Sequence, residues 1–96
     1  MIDLKDLADK DYIIAKKRNN LDINKPIDTL GILKHTATEI VEATEAYAKD
    51  DMPAFASELG DIITCCLIIC SKNQIKIEEV LMQTMEKNKK RSEKND

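Results

Sequence analysis

The sequence predicts an all-α fold, a four-helix chain that forms an oligomeric helical bundle, and three observations carry that prediction. The chain of 96 residues is 43% hydrophobic but only 3% aromatic, with two Gly and two Pro. That supply of turn formers and aromatic strand residues is too small for a β-sandwich or barrel. Apolar residues recur at steps of three and four in successive segments separated by polar breaks, which is the helical period. The run from Leu59 to Cys70, LGDIITCCLIIC, is apolar almost all the way round a helical wheel. Such a helix must be covered on every side, which four short helices in one monomer can hardly achieve. The length points the same way: one domain spanning residues 1–96 buries only about 60–65% of its unfolded surface and is marginal alone.

The first helix is expected over about residues 3–18, where Leu4, Leu7, Ala8, Ile14 and Ala15 alternate with Asp and Lys. Asn19, Asn20, Asp22, Asn24 and Pro26 then make a loop over 19–28 that cannot continue a helix cheaply. Asp28 or Thr29 caps the second helix, whose Leu30, Leu33, Ala37, Ile40, Val41, Thr44 and Ala48 cover one face up to about Lys49. Asp50 and Asp51 are cap candidates for a third helix with Pro53 in its first turn, running to about Ser71. After a break at Asn73 and Gln74, Ile77, Val80, Leu81 and Met85 mark a fourth helix over about Lys76 to Lys90. The core helices thus occupy about 29–90, and the tail 92–96 should fray.

Fifteen Lys and Arg against 18 Asp and Glu give a net charge of -3, so a general polyanion binder is excluded and no nucleic acid polymer is expected as partner. The basic run KNKKR, Lys87 to Arg91, still allows a local phosphate contact. The first residues lack the apolar core of a signal peptide, and no stretch approaches the roughly 18 apolar residues needed to span a bilayer. A soluble, cytoplasmic protein without a membrane partner is the expectation. Cys65, Cys66 and Cys70 share one apolar run without a His to complete a zinc pattern, and read as reduced, small core residues.

Acids three apart on a helix point the same way, and two such pairs stand out: Glu39 with Glu42, and Glu58 with Asp61. The second pair sits inside the apolar third helix, bordered by Ile62, Cys65, Ile68 and Ile69, and no Lys or Arg occurs between Asp50 and Ser71. Two carboxylates buried there without compensating cations would be costly or would be neutralised by a pKa shift. The cheapest compensation is a divalent metal held by Glu39, Glu42, Glu58 and Asp61 from two facing helices, as in carboxylate sites of helix bundles. All-oxygen ligation points to Mg²⁺, with Mn²⁺ as the alternative, and Mg²⁺ completes its octahedron with water and substrate phosphates. Against this stands the abundance of acids: Asp3, Asp6 and Asp9 repeat the same spacing, as do Glu42 and Glu45.

Glu39-Ile-Val-Glu42, a gap of 15 residues, and Glu58-Leu-Gly-Asp61 leading into an apolar helix resemble the ExxE…ExxD signature of the MazG-like, all-α nucleoside triphosphate pyrophosphohydrolases. Glu86 to Arg91, EKNKKR, resembles that family's K-N-x-x-R element. The resemblance covers about residues 30–91. It implies a bundle of helices from two or more subunits, Mg²⁺ on the four acids, and cleavage between the α and β phosphates to a monophosphate and pyrophosphate. It further implies contacts from Lys87, Asn88 and Arg91 to the phosphates or sugar of a (deoxy)nucleoside triphosphate, in a homodimer or homotetramer that removes unwanted nucleotides.

The chemistry fits those roles. Anhydride cleavage needs charge neutralisation, an oriented water and a stabilised leaving group. A carboxylate not fully occupied by metal, Glu39 or Glu42, is the candidate base. Lys87 and Arg91, one turn apart, suit the leaving pyrophosphate, with a solvated basic helix end as the alternative. His35, one turn before Glu39, is a candidate for substrate contact at the rim, as are Tyr12, Lys16 and Asn20 for the base. The chain departs from the family pattern in having no Trp for stacking, leaving Tyr12, Tyr47 and Phe55, and in having Ser92 where Pro often follows the final Arg. The rival functions are a phosphoribosyl-ATP pyrophosphohydrolase, against which Gly60 and K-N-x-x-R argue, and a non-catalytic helical dimerisation or regulatory module.

Overall fold

The structure, a computed structural model, describes residues 2–21 and 27–94, with the side chains of 19–21 left aside. Four α-helices follow one another: α1 (Leu4–Leu21), α2 (Thr29–Ala48), α3 (Met52–Lys72) and α4 (Ile77–Lys94). No strand occurs among the described residues, and the all-α expectation holds.

The helix ends follow from local chemistry. The Asp28 side chain accepts the N–H of Leu30 at the start of α2, and that of Asp51 accepts the N–H of Ala54 at the start of α3, where Pro53 costs no intrahelical bond. Both α2 and α3 end on a non-glycine residue with positive φ, Asp50 at 58° and Gln74 at 56°. In each case the next N–H turns back to the helix, Asp51 to the Ala46 carbonyl at 3.0 Å and Ile75 to that of Cys70 at 2.8 Å. These are Schellman closures, which make the α2–α3 connection a tight antiparallel hairpin. Asn73 Nδ2 donates to Thr29 Oγ1 and Ser71 Oγ to Asp9 Oδ1, tying the end of α3 to the starts of α2 and α1. Hence α1 and α2 both run antiparallel to α3.

Two helices are longer than expected. Helix α1 reaches Leu21 rather than Arg18, because Asn19 and Asn20 are only mildly unfavourable in a helix and the first true breaker is Pro26. The rest of the expected loop, 22–26, lies outside the described residues. Helix α4 runs through Ser92 to Lys94 rather than stopping near Lys90. Nothing in that stretch breaks a helix, and Arg91 and Lys94 complement the dipole at its end. Asn95 and Asp96 lie outside the described residues.

The packing overturns one expectation about faces. The stripe of Leu33, Ala37, Ile40 and Thr44 on α2 is exposed, Leu33 and Ile40 by about half. The face turned to α3 is instead Ile32, Thr36, Glu39, Ala43 and Ala46. Small residues at Thr36 and Ala43 let the helices approach, and Glu39 is carried inward between them. On α3, Leu67 and Ile68 are buried while Leu59, Ile63 and Cys66 line an outer stripe. Cys65 and Cys70 are half-buried and Cys66 is exposed, so the three free cysteines are not uniformly core. Helix α4 buries no residue and touches chiefly α1, near the bond from the Lys5 N–H to Glu78.

By length and hydropathy α3 would suffice to cross a bilayer, contrary to the expectation that no segment comes close. Glu58 and Asp61 in its middle and its packing against α1 and α2 are equally those of a bundle's central helix.

Candidate metal centre

Counting outward from the hairpin turn at Asp50, Glu39 on α2 and Glu58 and Asp61 on α3 fall at similar distances, so antiparallel packing brings them level. One carboxylate oxygen from each lies within 4.8 Å of the others. Glu39 is 8% exposed, Glu58 is half-buried and Asp61 is open to solvent. The three therefore grade from the interhelical seam to the surface.

Polar accounting at this seam does not close. Oε2 of Glu39 and Oε2 of Glu58 are both buried without a hydrogen-bond partner. Such atoms normally find a donor, because leaving them unmade costs the full desolvation penalty. Among the described residues, no Lys or Arg forms an ion pair with Glu39, Glu58 or Asp61. Oε1 of Glu39 lies 2.8 Å from Nε2 of His35, one turn earlier on α2. Glu58 is pushed up to about 7, first by its hydrogen bond with Glu39, then by burial, then by repulsion from Glu39 and Glu42. Like charges gathered at one site thus favour the protonated form of Glu58.

Glu42 is exposed and outside the group of three, although near enough to Glu58 to add to its repulsion. It has an open, solvated carboxylate beside two that are enclosed. The donor set is all oxygen, with two buried oxygens left without a partner, and this suits a hard divalent cation such as Mg²⁺ or Mn²⁺ better than a softer metal.

The other sequence-derived candidates fall elsewhere. Lys87, Asn88 and Arg91 are exposed on α4, which does not pack along the acid-bearing helices, so the chain by itself does not bring them to the cluster. Tyr12 is half-buried and Lys16 exposed on α1; the Asn20 side chain lies outside the described residues. Tyr47 and Phe55 pack against each other across the hairpin, with ring centroids 5.2 Å apart at 58°. The bond between His35 and Glu39 is the one feature of the site that the sequence argument did not name. Its signal was the spacing of four, which places both side chains on one helix face.

No curated protein and no solved structure matches the chain significantly. The family profile described as MazG nucleotide pyrophosphohydrolase domain matches residues 27–95, which span α2, α3, α4 and all four acids. With the all-α fold and the level acids of the α2–α3 hairpin, that match makes the chain a member of the MazG nucleotide pyrophosphohydrolase domain family.

Proposed function

We propose that the chain is a divalent-metal-dependent pyrophosphohydrolase that cleaves a (deoxy)nucleoside triphosphate between its α and β phosphates, releasing a monophosphate and pyrophosphate. The observation that carries this reading is the pair of buried, partnerless carboxylate oxygens on Glu39 and Glu58, level with Asp61. They are costly as they stand and are accounted for by a cation. Glu39, Glu58 and Asp61, with Glu42 beside them, would hold Mg²⁺ or Mn²⁺. The metal would neutralise charge on the non-bridging phosphate oxygens.

The chain's own groups divide the remaining work. Glu42 is the better placed of the two candidate bases, because its carboxylate is exposed while Glu39 is engaged by His35. It accepts the proton of the attacking water as the oxygen–phosphorus bond forms and the anhydride bridge breaks. Lys87, Asn88 and Arg91 bind the phosphates or sugar, Arg91 through its fork of donors. They do so from a second copy, in a homodimer or homotetramer. Supporting this are α4, which buries no residue and exposes Val80, Leu81 and Met85, and the exposed apolar side chains of α2 and α3. The role would be removal of unwanted or excess nucleotides.

The test is to incubate the protein with each common triphosphate and Mg²⁺ and to assay pyrophosphate. Wild-type protein should release monophosphate and pyrophosphate in equal amounts, and Glu58→Gln and Asp61→Asn should each lose at least about 100-fold in rate while staying folded. Release of inorganic phosphate instead, or unchanged rates in both variants, refutes the proposal.

A further inference from the structure

We propose that His35 is a positioning residue: its Nε2–H holds Oε1 of Glu39 so that the other oxygen, Oε2, is presented to the divalent cation. The inference rests on the metal reading above and adds to it a residue outside the four acids.

The geometry is specific to one atom of each group. Nε2 of His35 lies 2.8 Å from Oε1 of Glu39, and a carboxylate oxygen only accepts, so Nε2 carries the proton and donates. Oε2 of the same carboxylate is buried and unpartnered, and a carboxylate oxygen of Glu39 lies within 4.8 Å of ones from Glu58 and Asp61. One oxygen is therefore held by the imidazole while the other is left buried without a partner. A glutamate has three side-chain torsions, and without such a tether its carboxylate would rotate among several orientations. Burial offers no competing reason for the imidazole's position, since its side chain is 63% exposed. Nor does any other basic side chain hold Glu39 among the described residues. Hydrogen bonds to the back of a metal-ligating carboxylate orient it, and their loss commonly weakens metal binding by about 10–100-fold.

An i,i+4 pair at a solvent-exposed helix face contributes little to folding, so stability and metal affinity separate in the variants. A glutamine at 35 carries an amide N–H about as far from the backbone as Nε2, whereas an asparagine is too short and an alanine has no donor. The experiment titrates Mn²⁺ into wild-type, His35→Ala, His35→Asn and His35→Gln proteins at one pH, reading free Mn²⁺ by its paramagnetic resonance signal. Metal-free melting curves run alongside. Expected are unchanged metal-free melting for all four, about 10–100-fold weaker Mn²⁺ binding for His35→Ala and His35→Asn, and affinity close to wild type for His35→Gln. Wild-type affinity in His35→Ala overturns the inference while leaving the metal centre intact, and a His35→Gln protein as weak as His35→Ala overturns the donor role. If wild-type protein itself leaves all Mn²⁺ free, the metal reading falls and the inference with it.

Discussion

A carboxyl group whose pKa is higher in the folded chain than in the unfolded one takes up protons on folding, and Glu58 is such a group. Its folded value of about 7 against an ordinary 4.5 means that its stabilising contribution is fully present below about 4.5. That contribution is lost as pH rises through about 7, where Glu58 in the folded state must give up its proton beside the carboxylates of Glu39 and Glu42. Metal-free protein should therefore show a falling Tm across this window. Glu58→Gln, which keeps the neutral form at every pH, should lack that part of the fall. In a chelator-containing buffer the variant should melt above wild type at about pH 8 and close to it at about pH 5. Millimolar Mg²⁺ should reverse the order at the higher pH, because a ligand that binds the folded state alone stabilises it by mass action. Parallel curves for the two proteins from pH 5 to 8 would show that Glu58 is not raised in the folded chain. Asp9, held below the usual carboxylate range by its bond from Lys5 and then by that from Ser71, pulls in the opposite direction at lower pH. Comparison with the variant rather than an absolute curve isolates Glu58.

At the scale of elements, Gly60 on α3 offers a measurable contrast. A Cβ built there meets nothing within 4 Å, so no contact inside the chain requires a glycine between the acids Glu58 and Asp61. Glycine in a helix interior costs about 0.5–1 kcal/mol relative to alanine. Gly60→Ala should accordingly raise stability by about that amount in denaturant titrations of the metal-free chain. A loss instead would show that another chain or ligand lies against that spot. What the sequence disclosed about elements follows the strength of each local signal. Caps at Asp28 and Asp51 and the stop at Asn73 and Gln74 depend on one or two side chains and were readable. The ends of α1 and α4 were not, because polarity at Asn19 or Ser92 does not break a helix and only Pro26 was an unambiguous stop. The inward face of α2 was misjudged for a different reason. Periodicity finds the most apolar stripe, whereas packing selected the face bearing Thr36, Glu39 and Ala43. The two acid pairs were legible because their spacing alone puts each on one face. That Glu42 stays outside the closest group was not, since it depends on how far α2 rotates against α3.

The molecule as a whole is extended, with a radius of gyration of 15.9 Å against about 12.5 Å for a compact domain of this length. Among the described residues its buried apolar core is thin, with Ala8, Ile27, Ala43, Leu67 and Ile68 and no large side chain fully enclosed. Leu33, Ile40 and Tyr47 on α2, Ile63 on α3, and Val80, Leu81 and Met85 on α4 are exposed instead. These exposed apolar side chains are what the proposed second copy would cover. If a second copy covers it and lends its α4, each site joins the acids of one subunit to Lys87, Asn88 and Arg91 of the other, and the arrangement can be tested by complementation. Glu58→Gln disables the acids while sparing α4; the double variant Lys87→Ala, Arg91→Ala disables α4 while sparing the acids. Each should be inactive alone. When the two are unfolded together and refolded in equal amounts, about half of two-fold symmetric dimers are mixed, and one of the two sites in each mixed dimer is intact. Pyrophosphate release should then return to about a quarter of the wild-type rate. If both halves of a site came from one chain, every subunit in the mixture would carry a defect and no activity would return. Sedimentation of the refolded mixture at twice the monomer mass or more distinguishes that result from a failure to assemble.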